Sequence, residues 1–145
     1  MKFIVKKFAD LSKTELYEIL KVRAQIFIVE QKMNCQDLDG VDFDSLHMFL
    51  EENGKIIAYL RAYESENDSN TVKIGRVLTL RHGMGYGREL LEKSILELRE
   101  NYNYKRIVLN SQITAVGFYE KLGFKVISDE FLEEGIIHFA MEYEI

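Results

Sequence analysis

The sequence predicts an α/β fold: one mixed sheet with helices packed on it, formed by all 145 residues as a single domain (1–145). Three observations carry that prediction. Short β-rich runs alternate along the chain with stretches whose apolar residues recur every three or four positions. Asn53-Gly54 stands between two apolar runs, which marks a tight hairpin. A loop bearing Gly83, Gly85 and Gly87 joins an apolar run to a charged, leucine-bearing segment.

The elements follow in order. KFIVKKF (2–8) is short and rich in β-formers, so it reads as a strand. Ser12 with Glu15 three places later forms a capping box, and Leu16, Ile19, Leu20, Arg23 and Phe27 carry the helix to about residue 29. VEQKMNCQDLDGVDFD (29–44) has no period and reads as a long acidic loop. HMFLEENGKIIAYLRAYE (47–64) is a hairpin, and ESENDSN (64–70) a polar loop. TVKIGRVLTL (71–80) is a strand interrupted at Gly75, where an isolated glycine signals a bulge or a close backbone approach.

Residues 87–101 form a helix with Leu91, Ile95, Leu98 and Tyr102 on one side. RIVLN (106–110) is a strand, and TAVGFYEKLGF (114–124) gives a short helix ended by Gly123. KVIS (125–128) and IIHFAMEYE (136–144) are the last strands, separated by the turn-like LEEG (132–135). The order is β-α-β-β-β-α-β-α-β-β.

Composition narrows the function classes. The net charge of −5 argues against nucleic acid as the main partner, since phosphate binding wants a basic surplus. One cysteine, Cys35, cannot close an internal disulfide, which suits a reducing cytoplasmic setting. The opening MKFIVKKFAD lacks the apolar core of a signal peptide, and no window approaches the ~18 apolar residues of a membrane helix. The chain is therefore expected to act neither on nucleic acid nor in a membrane.

The glycine loop points to an anion. Between a strand and a helix, its amides and the helix N-terminus converge on one point, which attracts phosphates. Two familiar phosphate motifs fail on spacing. A dinucleotide fingerprint needs glycine where this chain has Arg88, and a P-loop ends in G-K-[ST], where this loop ends G-R-E.

What remains is a G-x-G-x-G loop after a bulged strand, an Asn closing the next strand, and a Phe-Tyr helix. With RAQIFIVEQ (23–31), QDLDG (36–40), IGRV (74–77), LNSQ (109–112) and FYEKLGF (118–124), the chain resembles the GCN5-related N-acetyltransferase (GNAT) family, the ElaA-like subgroup in particular. The resemblance implies a splayed central sheet flanked by helices, with acetyl-CoA entering between the fourth and fifth strands and CoA leaving as product. It implies that the pantetheine arm bonds to the backbone of Val77, Leu78 and Thr79. The pyrophosphate would be held by amides from His82, Gly83, Met84, Gly85, Tyr86, Gly87 and Arg88. The family's first loop position, usually Arg or Gln, is His82 here, with Arg81 adjacent. Asn110 either holds pantetheine or caps the following helix.

The chemistry implied is acetyl transfer to a primary amine of a small molecule or peptide, by direct attack in a ternary complex. A backbone amide at the Gly75 bulge or near Leu78 would polarise the thioester carbonyl. Tyr119 is the candidate acid for the departing thiolate, with a packing aromatic as the rival reading. A thiol near 8.5 and a phenol near 10 make that proton transfer nearly balanced. Glu30 is the candidate base, with Asp37, Asp39, His47 and His138 as alternatives, although both histidines stand in or beside apolar strands. Arg76 either orients substrate or pairs with an aspartate. The acidic loop suggests a cationic acceptor such as a polyamine, amino sugar or peptide amine.

DLDGVDFD looks calcium-like, but its glycine falls at the fourth loop position instead of the sixth, so no metal is expected. A non-catalytic CoA-binding or interaction module on the same fold is the alternative function. Exposed edge strands of a mixed sheet suit a homodimer.

Overall fold

The computed structural model describes residues 1–145. Strands β1 (Lys2–Lys7), β2 (Leu46–Glu52), β3 (Lys55–Ser65), β4 (Asp68–Thr79), β5 (Arg106–Gln112), β6 (Lys125–Val126), β7 (Phe131–Glu133) and β8 (Ile136–Glu144) form one open sheet. Its order is β1-β2-β3-β4-β5-β8-β6, with β7 paired to β8. Every neighbouring pair is antiparallel except β4 and β5. Helix α2 (Tyr86–Tyr102) makes the crossover that a parallel pair requires. Helices α1 (Lys13–Arg23) and α3 (Val116–Lys121) complete the molecule.

The capping box forms as spaced: Ser12 Oγ accepts from Glu15 N at 3.0 Å, and Glu15 Oε1 accepts from Ser12 N at 2.8 Å. The helix does not stay α to its end, because Ala24–Glu30 winds as a π-helical segment that buries Ile26 and Phe27. A π segment of this kind often marks a functional site. The Asn53-Gly54 hairpin turns with both residues at positive φ, 53° and 78°.

Residues 64–70 are not a loop. β3 and β4 continue to Ser65 and Asp68, turned by Glu66 and Asn67, and Asp68 ties the turn by accepting from Asn70 N and Thr71 Oγ1. Polar side chains misled the reading because this end of the ribbon is solvated on both faces, where strands need no apolar face. The last third also differs: KVIS contributes only Lys125–Val126, and Phe131–Glu133 pairs with β8 as a strand.

The expected bulge lies in β4, but the strained residue is not the glycine. Tyr59 pairs with Leu78 and Arg61 with Gly75, so β4 spends one more residue than β3 between the two pairs. Arg76, not Gly75, takes the left-handed backbone, at φ 54°. The extra residue swaps faces. Val72 and Ile74 pack in the larger core with α2, whereas Leu78 packs in the smaller core with Ile19, Val22 and Phe27 of the α1 side. Without the bulge an even step would leave all three on one face.

Gly123 ends α3 at φ 104°, and a β-carbon there would meet Tyr143 Cε2 at 2.8 Å. Gly123→Ala is therefore expected to lower stability by roughly 1–3 kcal/mol, read from chemical unfolding midpoints.

Candidate active site

The site begins where β4 and β5 part. They pair from Thr71–Arg106 to Ile74–Leu109 and no further, because the bulge turns β4 away. On the other side of β4, Leu80 N donates to Ile57 O at 2.8 Å and Leu78 faces Tyr59. Strand alternation then directs the peptide groups of Val77 and Thr79 into the gap. That is a strand edge with no partner. A cavity of about 710 Å³ runs through the opening, with Val77, Leu109, Ser111 and Tyr119 on one side. On the other stand Arg61, Lys73, Asn110, Gln112 and His138.

The glycine loop stands at one end of the gap. Gly83 and Gly85 both have positive φ, 73° and 78°, and Gly85 is the N-cap of α2. No side chain caps that helix. From His82 to Arg88, no peptide N–H donates to a backbone carbonyl of the protein, the first such bond being Glu89 N to Gly85 O at 3.0 Å. Seven successive residues with free amides at a helix N-terminus make an anion cradle. His82 also lines the cavity. The neighbouring Arg81 does not substitute for the missing basic residue: it pairs with Glu52 at 2.6 Å and lies over the Tyr86 ring. Gly87 faces Phe118, where a β-carbon would stand 3.4 Å from the ring.

Tyr119 reaches the cavity from α3 while its ring packs edge-on between Phe118 and Phe124. Both readings of it hold at once. It is 6% exposed, its hydroxyl has no protein partner, and burial pushes its phenol well above the ordinary value. The proton transfer to a thiol is thus less balanced than the unperturbed values suggest. Asn110 does not cap α3, whose N-cap is Ala115. Instead its Nδ2 donates to Glu133 Oε1 at 3.3 Å.

Residues 13–145 match the family described as the acetyltransferase (GNAT) domain. The chain belongs to the GNAT family. It is 36% identical to a UPF0039 protein of Schizosaccharomyces pombe over 149 residues, covering 100% of this chain and 98% of the relative. It is 32% identical to the protein ElaA of Escherichia coli, covering 94% and 92%. Among solved structures, E. coli ElaA superposes with a TM-score of 0.89 at 30% identity, covering 97% of each chain. An acyl-CoA N-acyltransferase from Pseudomonas aeruginosa gives 0.89 at 30% identity, covering 98% and 99%. This GNAT membership puts the chain among acyl-CoA-dependent acyltransferases.

The loop that follows the π segment is held to the rest of this GNAT fold by ion pairs. Arg23 Nη1 donates to Asp42 Oδ1 at 2.7 Å and its Nε to Asp37 Oδ2 at 3.2 Å. Arg61 bonds both oxygens of Asp39, at 2.9 and 2.7 Å, and Asp42 Oδ1 at 3.0 Å. Arg76 Nε donates to Asp37 Oδ1 at 2.8 Å, so its role is pairing. Three arginines meet three aspartates, so the charges of Asp37, Asp39 and Asp42 are matched within the protein. The inference of a cationic acceptor from loop acidity loses its basis.

Asp39 is a poor base, being held by Arg61, and Asp37 is occupied by Arg23 and Arg76. The Arg61 hydrogen bonds, outweighing partial burial, lower the Asp39 carboxyl from 3.8 to about 2. Its contribution to stability is present above pH 3.8 and lost as pH falls toward 2. Melting temperature is therefore expected to drop across that window in thermal scans, and a flat profile would contradict the pairing.

His47 is structural. Its ring nitrogens meet the Tyr59 hydroxyl at 2.7 Å and Asp42 O at 2.9 Å, and burial lowers its pKa. Glu30 is corrected too. It is exposed on the π segment, accepts from Gln25, and lies outside the cavity lining. The wider π winding over Ala24–Glu30 changes which residues share a face from those a 3.6-residue period assigns.

Of the residues expected at the site, the cavity lining includes Val77, His82, Asn110 and Tyr119 but not Leu78, Thr79 or Gly83 to Arg88. It adds Lys73, Gln112, Glu133 and Glu134, which the sequence reading passed over. Glu133 lay in a segment taken for a turn. Its Oε1 receives Asn110 and its Oε2 stands 3.4 Å from His138 Nε2, while His138 Nδ1 meets Ile136 O at 2.8 Å.

Proposed function

We propose that the protein transfers an acetyl group from acetyl-CoA to a primary amine. The run of unpartnered amides from His82 to Arg88, beside an unpaired strand edge, supports this reading most strongly. Diphosphate oxygens fit the loop amides, and an amide-bearing arm fits the edge at Val77 and Thr79 as an added strand.

In this mechanism the Val77 N–H polarises the thioester carbonyl. The amine nitrogen forms its bond to the carbonyl carbon as the carbon–sulfur bond breaks, and the electron pair leaves on sulfur. Tyr119 donates its O–H to that sulfur. Because burial keeps the phenol protonated, it serves as a hydrogen-bond donor that stabilises the departing thiolate, which takes its proton from solvent on release. The amine's surplus proton goes to Glu133, the cavity carboxylate that Asn110 and His138 orient and no arginine holds.

Calorimetry with acetyl-CoA, followed by thiol release across an amine panel, tests the reading. Binding in the micromolar range and turnover with at least one amine are expected. Absence of binding at millimolar coenzyme would remove its basis, and binding with no turnover would leave only a CoA-binding module. Gly85→Ala forces a β-carbon into left-handed backbone, at a cost of about 1–2 kcal/mol. Acetyl-CoA affinity should fall roughly tenfold in that variant, with the fold intact by circular dichroism.

A further inference from the structure

A bond between two glutamines crosses the opening of the sheet. Gln112 Nε2 donates to Gln31 Oε1 at 2.9 Å across 81 positions of sequence, and both residues line the cavity. The two stand on opposite banks. Gln31 follows the π segment, whose Ile26 and Phe27 pack with Leu78 on the half of β4 beyond the bulge. Gln112 ends β5, the strand that β4 leaves after the Ile74–Leu109 pair. Leu109 packs in the larger core with α2 residues, so alternation turns Asn110 and Gln112 to the other face of the sheet. The clasp therefore spans the gap on the α1 face, opposite the helix whose N-terminus forms the anion cradle. Its side chains are exposed as well as cavity-lining, which puts it at the rim.

The π winding aims this clasp. Gln31 N donates to Ile26 O at 3.0 Å, five residues back, where an α-helix would reach back four. One extra residue in a turn rotates everything after it by about 100°, so a plain α-helical ending would point residue 31 elsewhere. Met33 N then donates to Phe27 O at 2.9 Å and fixes the chain just past it. On the other bank, Gln112 is held by its pairing with His138. Both side chains thus hang from anchored backbone. The bond between them is neutral and meets water, so an entering molecule can part it. Gln112 lies two residues beyond Asn110 on the same face, about 7 Å along the strand, which sets the clasp beside the Asn110–Glu133 pair.

We propose that Gln31 and Gln112 select the acceptor by shape: the clasp passes an unbranched primary amine, such as the end of a lysine-like side chain, and hinders one whose nitrogen-bearing carbon is branched. This rests on the acyl-transfer reading above and adds the substrate class. A bar across a rim divides it into narrower openings, and a straight methylene chain has the smallest cross-section behind its nitrogen. Two neutral amides discriminate by width and not by charge.

Hexylamine and cyclohexylamine test this, having the same number of carbons and similar basicity but different branching beside the nitrogen. Thiol release from acetyl-CoA should favour hexylamine by about fivefold or more in kcat/KM, the worth of a neutral contact. Gln31→Ala and Gln112→Ala, both on surface side chains, should each bring the two amines to within about twofold of one another. Gln31→Glu keeps an acceptor for Gln112 Nε2 and charges the bond, so the preference should persist, its new charge acting on both amines alike. Equal use of the two amines by the native protein, a ratio unchanged in both alanine variants, or a preference lost in Gln31→Glu overturns the proposal. If acetyl-CoA binds but no amine releases thiol, acyl transfer is what fails. Calorimetry of the two amines on the CoA-saturated protein then decides the clasp: cyclohexylamine binding gained in the alanine variants sustains it, and no binding, or the same binding in every form, overturns it.

Discussion

Tyr119→Phe is expected to lower turnover about a hundredfold while leaving acetyl-CoA affinity within about twofold, since one donor to a developing charge is worth that much. The separation of effects comes from the packing. The ring supplies the edge contacts to Phe118 and Phe124, and phenylalanine keeps them. Only the hydroxyl is lost, and it has no protein partner to orphan. Burial pushes the phenol up, so the tyrosine stays protonated through neutral pH and its ionisation should not shape the pH–rate profile there. Single-turnover thiol release checks the rate, and calorimetry checks affinity. Unchanged turnover would return Tyr119 to a packing role.

Asp42→Ala should cost about 3–5 kcal/mol of stability, the range for removing one partner from a buried ion pair. Asp42 sits between Arg23, wholly buried, and Arg61, 3% exposed, at 2.7 and 3.0 Å. Burial alone would raise its carboxyl, but hydrogen bonds and charge from Arg23, then from Arg61, outweigh that and leave it lowered. Without it, two buried guanidiniums lose an acceptor that water cannot replace. Urea unfolding measures the loss. The double variant Asp42→Ala with Arg23→Met should recover part of it, because the stranded charge goes as well. A loss under 1 kcal/mol would mean that water enters the cluster.

How much of this was legible depends on which forces are local. The capping box, the Asn53-Gly54 turn, Gly123 and the glycine loop are written in a few adjacent residues, and each formed where its spacing put it. The face swap in β4 was half legible. A glycine in a strand signals a bulge, yet the strained backbone passed to Arg76, held by Asp37 39 positions earlier. No local signal carries that. The same holds for the charge of the acidic loop: Asp37, Asp39 and Asp42 look free along the chain, and only the fold supplies Arg23, Arg61 and Arg76. Glu30 was misplaced because helical periodicity cannot announce a π turn. Glu133 was missed because a three-residue strand with one half-buried and two exposed residues has no pattern to read.

The Arg76–Asp37 bond has a mechanical consequence. Arg76, the left-handed residue of the bulge, is bonded through its Nε and Nη2 to Asp37, so the loop after the π segment is fastened to β4 at the point where that strand leaves β5. Under the proposed function, the opening for the acyl donor and the loop bordering the acceptor would then share one tether.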